Sequence, residues 1–288
     1  MASSAAGVLQ KIKTDLQAED EASQIIALGA LSVLTASTME TNFVSSSLLT
    51  DIKSLLSDVL YLLQSSTSSG VKENAAAALG FMFEITDKVP SKTATVLTDQ
   101  LHTALQSANT ATTTSSLPPS LQLLHNLGGA IASLAESNEA NGKRVIETDA
   151  PALLIQSLKT FPVTNELCAG AMDAVCKVMA NVEESRVIII KSGGIEAVSK
   201  CMVYSVCGSD LCIRSLMGLA MMVDNKEDKL RVLAAETGAI GALVRLMSQQ
   251  EDKDCQHIAL SLYVMMTKVE GLKDQVEGEL KAVQEGGK

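Results

Sequence analysis

Self-similarity at a spacing of about 45 residues constrains this chain more than any other feature. The segment from Glu184 to Met202 reads as a short helix, a break at Gly193 and Gly194, and a second helix starting at Ile195. A near copy runs from Arg231 to Met247, with Gly238 standing where Gly193 stood. A weaker copy runs from Arg144 to Leu158, with Asp149 at that point. Each copy opens on an Arg-Val pair: Arg144 and Val145, Arg186 and Val187, Arg231 and Val232. Long helices intervene, and they carry a cysteine at one equivalent point: Cys168, Cys212 and Cys255. Behind each cysteine follow Met172, Val175 and Val178; Leu216, Leu219 and Met222; Ala259, Leu262 and Met265. That spacing predicts one buried stripe per helix. Each unit is then short helix, tight turn, helix, loop, long helix. Gly193 and Gly238 are expected at positive φ, which glycine adopts without steric cost.

The predicted fold class is all-α: a right-handed α-solenoid of about six three-helix repeats, each roughly 40–47 residues long. The repeats start near residues 1, 41, 89, 138, 182 and 226. Residues 1–137 form irregular N-terminal repeats, 138–270 the regular ones, and 271–288 a polar capping helix and tail. In the irregular part, helices are predicted over 5–18, 21–39, 51–64, 71–86, 91–107 and 120–135, with a short one over 42–49. The helix over 21–39 is apolar on most sides and is expected to be buried between others. Residues 108–119 read as a polar loop.

Net charge −10 argues against nucleic acid, which needs a basic face, and against an anionic membrane surface. No uninterrupted run of 18 apolar residues is present, so no transmembrane segment is expected. The six cysteines all follow residue 165 and form no Cys-x-x-Cys pair. This is the usage of a reducing compartment. A cytoplasmic place is favoured, with mitochondrial and ciliary ones left open. The N-terminus lacks a secretory apolar core and carries two lysines before Asp15.

On the glycine turns and the short first helix of each unit, the chain resembles armadillo-repeat proteins, specifically over 138–268 and diffusely over 20–137. HEAT arrays, whose units have two helices, are the second choice. The resemblance implies a non-catalytic protein-binding scaffold. In peptide-binding members of the family, the third helix of each repeat presents a Trp and, four residues later, an Asn that pins an extended peptide. The matching Trp positions here are Ala77, Gly129, Asp173, Met217 and Leu260. The matching Asn positions are Phe81, Ser133, Lys177, Met221 and Val264. None is conserved in type, so the importin-type ladder is absent.

No P-loop, dinucleotide fingerprint or His-Glu-x-x-His motif is present. Cys201, Cys207 and Cys212 lack zinc spacing. Cys255 and His257 point to different sides of one helix. No enzyme activity, cofactor or metal is therefore expected, and a small-molecule ligand is disfavoured. Cys168, Cys212 and Cys255 read as core residues held in separate layers about 10 Å apart. Asp173 and Lys177, four apart, read either as an intrahelical ion pair or as a specificity contact in a groove. Met217, Met221, Leu260 and Val264 lie off the cysteine stripe and are the candidate partner-binding surface. The partner expected is a protein, in one form a helical segment of another subunit. Three roles follow: a scaffold or accessory subunit of a larger assembly, an adaptor gripping a peptide in the groove, or a structural subunit of an axonemal or mitochondrial membrane complex.

Overall fold

The computed structural model describes residues 2–40, 46–86, 88–111, 120–161, 166–223, 227–248, 252–274, 277–278 and 281. The helices are α1 (Ala2–Leu16), α2 (Glu21–Glu40), α3 (Ser46–Ser54), α4 (Leu56–Ser65), α5 (Ser69–Glu84), α6 (Thr93–Ala111), α7 (Ser120–Ser137) and α8 (Glu139–Ile146). They continue as α9 (Ala150–Thr160), α10 (Glu166–Asn181), α11 (Ser185–Lys191), α12 (Gly194–Tyr204), α13 (Asp210–Val223), α14 (Asp228–Glu236), α15 (Ala239–Ser248) and α16 (Lys253–Thr267). No strand is present among the described residues. The chain forms two compact units, Met1–Leu153 and Leu154–Lys288, divided within α9.

In the first unit α2 packs on α5 and α5 on α7, while α4 packs on α5 and α6 on α7. Small residues let α5 and α7 approach closely. A Cβ on Gly80 would sit 3.8 Å from the Ala130 backbone, and Ala75, Ala76 and Ala78 are fully buried. Gly128 and Gly129 leave α7 continuous. Ser68 starts α5 by accepting the Val71 N–H at 3.4 Å. Asn138 starts α8 by accepting the Asn141 N–H at 2.9 Å. Both are ordinary N-caps.

Four expectations for this unit need correction. The single helix over 51–64 is two. The chain tightens at Leu55, whose N–H bonds the Ile52 carbonyl at 3.0 Å, and α4 starts afresh. The break lets Ile52, Leu55, Leu56, Leu62 and Leu63 all be buried, which one straight helix face cannot do. The short helix runs over Ser46–Ser54, while 41–45 lie outside the described residues. Residues 108–111, expected in the polar loop, belong to α6, which extends through Ala111, because Leu97, Leu101, Leu105 and Ala108 continue one buried stripe. Residues 112–119 lie outside the described residues. Finally, α2 is not buried on most sides. Leu28 and Leu31 face the core, but Ile26 and Val33 are 67% and 68% exposed. Among the described residues α2 is also long and apolar enough to cross a membrane, since Ser and Thr interrupt its apolar run without adding charge. Here it packs on α1 and α5.

In the second unit α10 packs on α13 and α13 on α16, while α12 and α15 pack behind them and on each other. The stripe is Cys168, Met172, Val175 and Val178 on α10 and Cys212, Leu216, Leu219 and Met222 on α13, all buried. On α16 it is Cys255, Ala259, Leu262 and Met266. Met265, expected in the stripe, is only half-buried, and Met266 replaces it. The last step is thus four residues rather than three, which keeps the same face of the helix. Gly193 has φ 85° and Gly238 φ 88°, so the two repeat turns use the left-handed region. Asp149, at the equivalent point in the first unit, has no positive φ. There the turn is closed by Thr148, whose Oγ1 donates to Val145 O at 2.7 Å and accepts the Ala150 N–H at 3.2 Å. Of the polar helix expected from Gly271 to Gln284, residues 273–274, 277–278 and 281 are helical and most others lie outside the described residues.

Candidate functional site

The third helices of the two complete repeats in the second unit, α13 and α16, pack side by side. Each turns its cysteine stripe inward and an adjacent face outward. On that outer face Met217 is 47% exposed, Leu260 49% and Val264 44%. Met221 is half-buried. Leu260 and Val264 are one turn apart on α16, and Met217 and Met221 one turn apart on α13, so the two rows lie along their helices.

Asp173 of α10 is held from two sides. The Arg214 guanidinium, from the next repeat, donates to Asp173 Oδ1, and Lys177 Nζ lies 3.8 Å from Oδ2. The intrahelical pair therefore exists, but the inter-repeat one is closer. Burial lowers the Arg214 pKa from its ordinary value, yet a guanidinium stays charged in proteins. Asp173 is thus a tie between α10 and α13. The sequence did not single out Arg214, 41 positions away, because pairing it needs the stacking offset of the two helices.

A second set of arginines explains two of the three Arg-Val pairs, while Arg144 of the third donates to Asn141 Oδ1 on its own helix at 3.2 Å. Arg186 donates to the Met222 carbonyl, and Arg231 Nη1 donates to the Met265 carbonyl at 3.1 Å. In each of those two repeats the first helix thus caps the last turn of the third, where carbonyls lack intrahelical partners and the helix dipole favours a cation. Arg245 does the same for α12, donating to Met202 O at 2.9 Å and Ser205 O at 3.3 Å.

At the Gly193 turn, Lys159 reaches in from α9. Its Nζ lies 3.1 Å from Glu196 Oε2 and donates to the Ser192 carbonyl at 3.4 Å. Gly194, the first residue of α12, is buried against Ile189, where a Cβ would lie 2.8 Å from the Ile189 carbonyl oxygen. These glycines build the turn.

The cysteines depart from expectation. The Cys255 thiol donates to Cys212 Sγ at 3.7 Å, so the two are not in separate layers. An interaxial spacing of about 10 Å is bridged from both sides when equivalent side chains of stacked helices point at each other. Cys168 and Cys201 share a second thiol–thiol hydrogen bond, which lowers Cys168 and, with burial, raises Cys201. Burial pushes Cys176 up to about 12 and, together with Cys212 and Asp252, pushes Cys255 up to about 11. Such thiols are protonated at neutral pH. No group of three or more His, Cys, Asp or Glu placed to hold a metal is found among the described residues.

The first unit offers an open hollow of about 550 Å³, lined by Leu16, Glu19, Glu21, Asp58, Tyr61 and Ser66 among others. Phe81 and Val33, on α5 and α2, are exposed.

No protein-family model matches the chain, and no curated protein matches it either. Solved structures do. An engineered protein aligns with TM-score 0.69 at 18% identity, covering 91% of this chain and 99% of that one. A designed armadillo repeat protein aligns with TM-score 0.64 at 19% identity, covering 90% and 99%. Another designed armadillo repeat protein, solved in complex with the peptide (KR)4, aligns with TM-score 0.62 at 17% identity, covering 90% and 99%. At this identity the likeness establishes the fold: a diverged armadillo-like, all-α solenoid.

Proposed function

We propose that this protein is a non-catalytic armadillo-like scaffold that holds a helical segment of a protein partner against α13 and α16. The observation that carries this reading is the exposure of Met217, Leu260 and Val264 on two adjoining helices. Apolar rows one turn apart suit the apolar face of a partner helix. Each of the three is already about half-buried, so covering the remainder would contribute about 0.7–1.5 kcal/mol per side chain before ordering costs. Within a larger assembly this is the work of an accessory or structural subunit. Cysteines without Cys-x-x-Cys spacing, used as small buried residues, suit a reducing compartment.

An extended basic peptide is the second reading. A designed neighbour carries (KR)4, and this chain is acidic. Against it, Asp173 already pairs with Arg214 and Lys177, and the asparagine ladder is missing.

The test is a photo-crosslinking amino acid placed at 217 or 260 in cells, with mass spectrometry of the adduct. The captured segment is expected to be an amphipathic helix. The double variant Met217→Asp, Val264→Asp is expected to abolish its binding while leaving the melting curve within a few degrees. Capture of a Lys/Arg-rich extended segment would replace the first reading by the second. Undiminished binding by the folded double variant would remove this face from consideration.

A further inference from the structure

We infer that Cys212 and Cys255 form a reversible modification site, a dithiol that a hydroperoxide oxidises to a disulfide joining two consecutive repeats. Three observations carry it. The two sulfurs already touch at 3.7 Å, and a disulfide needs a closure of only about 1.7 Å from there. Both thiols sit in the first turn of their helices, pinned by matching caps. The Cys212 N–H bonds Ser209 Oγ at 3.2 Å, and the Cys255 N–H bonds Asp252 Oδ1 at 2.8 Å. With both backbones capped there, the closure is asked of the two side chains rather than of the helices. The third observation is the cover. Both thiols are fully buried, but a short connection, Ser205 to Ser209 between α12 and α13, lies over them. The Gly208 backbone amide counteracts the rise in the Cys255 pKa, and a Cβ on Gly208 would lie 3.2 Å from Asp252 Oδ2. Val206 on the same connection is largely exposed, and Cys207 is half-buried. Opening of this connection is the route by which a molecule the size of hydrogen peroxide would reach the pair.

The chemistry balances with that oxidant alone. With the connection open, water takes the proton that burial otherwise holds on the sulfur, and the thiolate attacks a peroxide oxygen: the S–O bond forms, the O–O bond breaks, and the departing hydroxide takes up that proton as water. The second thiolate attacks the resulting sulfenic sulfur: the S–S bond forms, the S–O bond breaks, and a second water leaves. The sulfurs give up two electrons and the peroxide oxygens receive them. Core packing alone accounts for a buried cysteine, but it does not require two thiols in contact across a repeat boundary. Disulfides in reducing compartments are chiefly transient and redox-sensing, and this pair has the burial that resists over-oxidation. The bond would fix α13 to α16 at their N-terminal turns, about a turn and a half before Met217 and Leu260. That consequence for docking rests on the proposed function, whereas the disulfide does not.

The full-length reduced protein is treated with hydrogen peroxide, free thiols are alkylated under denaturing conditions, and the non-reduced digest is read by mass spectrometry. A peptide linking Cys212 to Cys255, about 2 Da lighter than the two thiol peptides together and abolished by dithiothreitol, is the expected result. The oxidised protein is expected to melt several degrees higher. Cys212→Ala and Cys255→Ala should remove that rise, and Cys168→Ala should preserve it. Recovery of both Cys212 and Cys255 fully alkylated after exposure that oxidises Cys207 overturns the proposal, as does pairing of either with a different cysteine. The wild-type digest decides the question even where a variant fails to fold.

Discussion

Gly194→Ala isolates the close packing of a repeat turn from its backbone conformation. Gly194 is the first residue of α12 and has no positive φ, so alanine suits its backbone and would by propensity gain up to about 1 kcal/mol. Any loss is therefore steric. The new Cβ would lie 2.7 Å from Ile189 Cγ2, 2.8 Å from the Ile189 carbonyl oxygen and 3.1 Å from Met222 Sδ. A rotamer change relieves the first and last contacts, but the carbonyl belongs to the α11 backbone, and α11 must shift. Overpacking of this kind costs about 1–3 kcal/mol; with an immovable contact at its centre the upper end applies, and the net is about 2 kcal/mol after the propensity gain. Gly238→Ala gives the opposite decomposition: φ 88° makes the residue strained by about 1–2 kcal/mol, while the only close atom is Val203 Cγ2 at 3.8 Å. Lys191→Ala, on the exposed side of α11, serves as the neutral control. Thermal melts followed by circular dichroism should order the three with Gly194→Ala lowest, about 4 °C below wild type at about 2 °C per kcal/mol. A Gly194→Ala protein melting with the control would refute the close approach of α11 and α12.

Arg231→Met should destabilise by about 1.5–3 kcal/mol in urea unfolding, since it strips a charged donor from the Met265 carbonyl; no change would refute the capping role. Asp173→Asn leaves Arg214 without its anionic partner and should cost more than Lys177→Ala, which removes a long, half-buried intrahelical contact of about 0.5 kcal/mol; equal losses would place the tie at Lys177 instead. Alkaline titration should weaken the fold through Cys176. Its pKa is raised when folded, so the stabilisation is complete below the usual thiol value of 9.0 and is lost as pH climbs toward about 12. By pH 10.5 the loss is about 2 kcal/mol, and Cys176→Ala should remove it; an identical pH profile in that variant would contradict the burial of the thiol.

What the sequence disclosed, it disclosed through periodicity. Cys168, Cys212 and Cys255 mark equivalent points because each third helix repeats one stripe, and Gly193 and Gly238 mark the turns because few other residues accept positive φ. What it withheld depends on how one repeat meets the next. Arg214 lies 41 positions from Asp173, and nothing local ties them. The Arg-Val pairs were visible, but the partners of Arg186 and Arg231 are main-chain carbonyls, which leave no trace in residue type. The thiol contact was hidden by treating the spacing between helix axes as the spacing between side chains. The division of α3 from α4 was hidden because Leu55 makes the turn in an ordinary right-handed conformation. The outward placement of Met217, Leu260 and Val264 was within reach, since their rows fall off the stripe by helical geometry alone.

The arginine caps have a mechanical consequence. Each closes a ring of chain, spanning 36 positions from Arg186 to Met222 and 34 from Arg231 to Met265, and tension applied at the ends of a ring passes through its cap and spares the helices between until the cap breaks. Under tension applied across the second unit, a ring gives way as a whole and frees about 120 Å of slack at once. The chain then lengthens in discrete steps, each bearing load up to a threshold. A tether of that kind damps a sudden pull and yet stays taut under a gentle one.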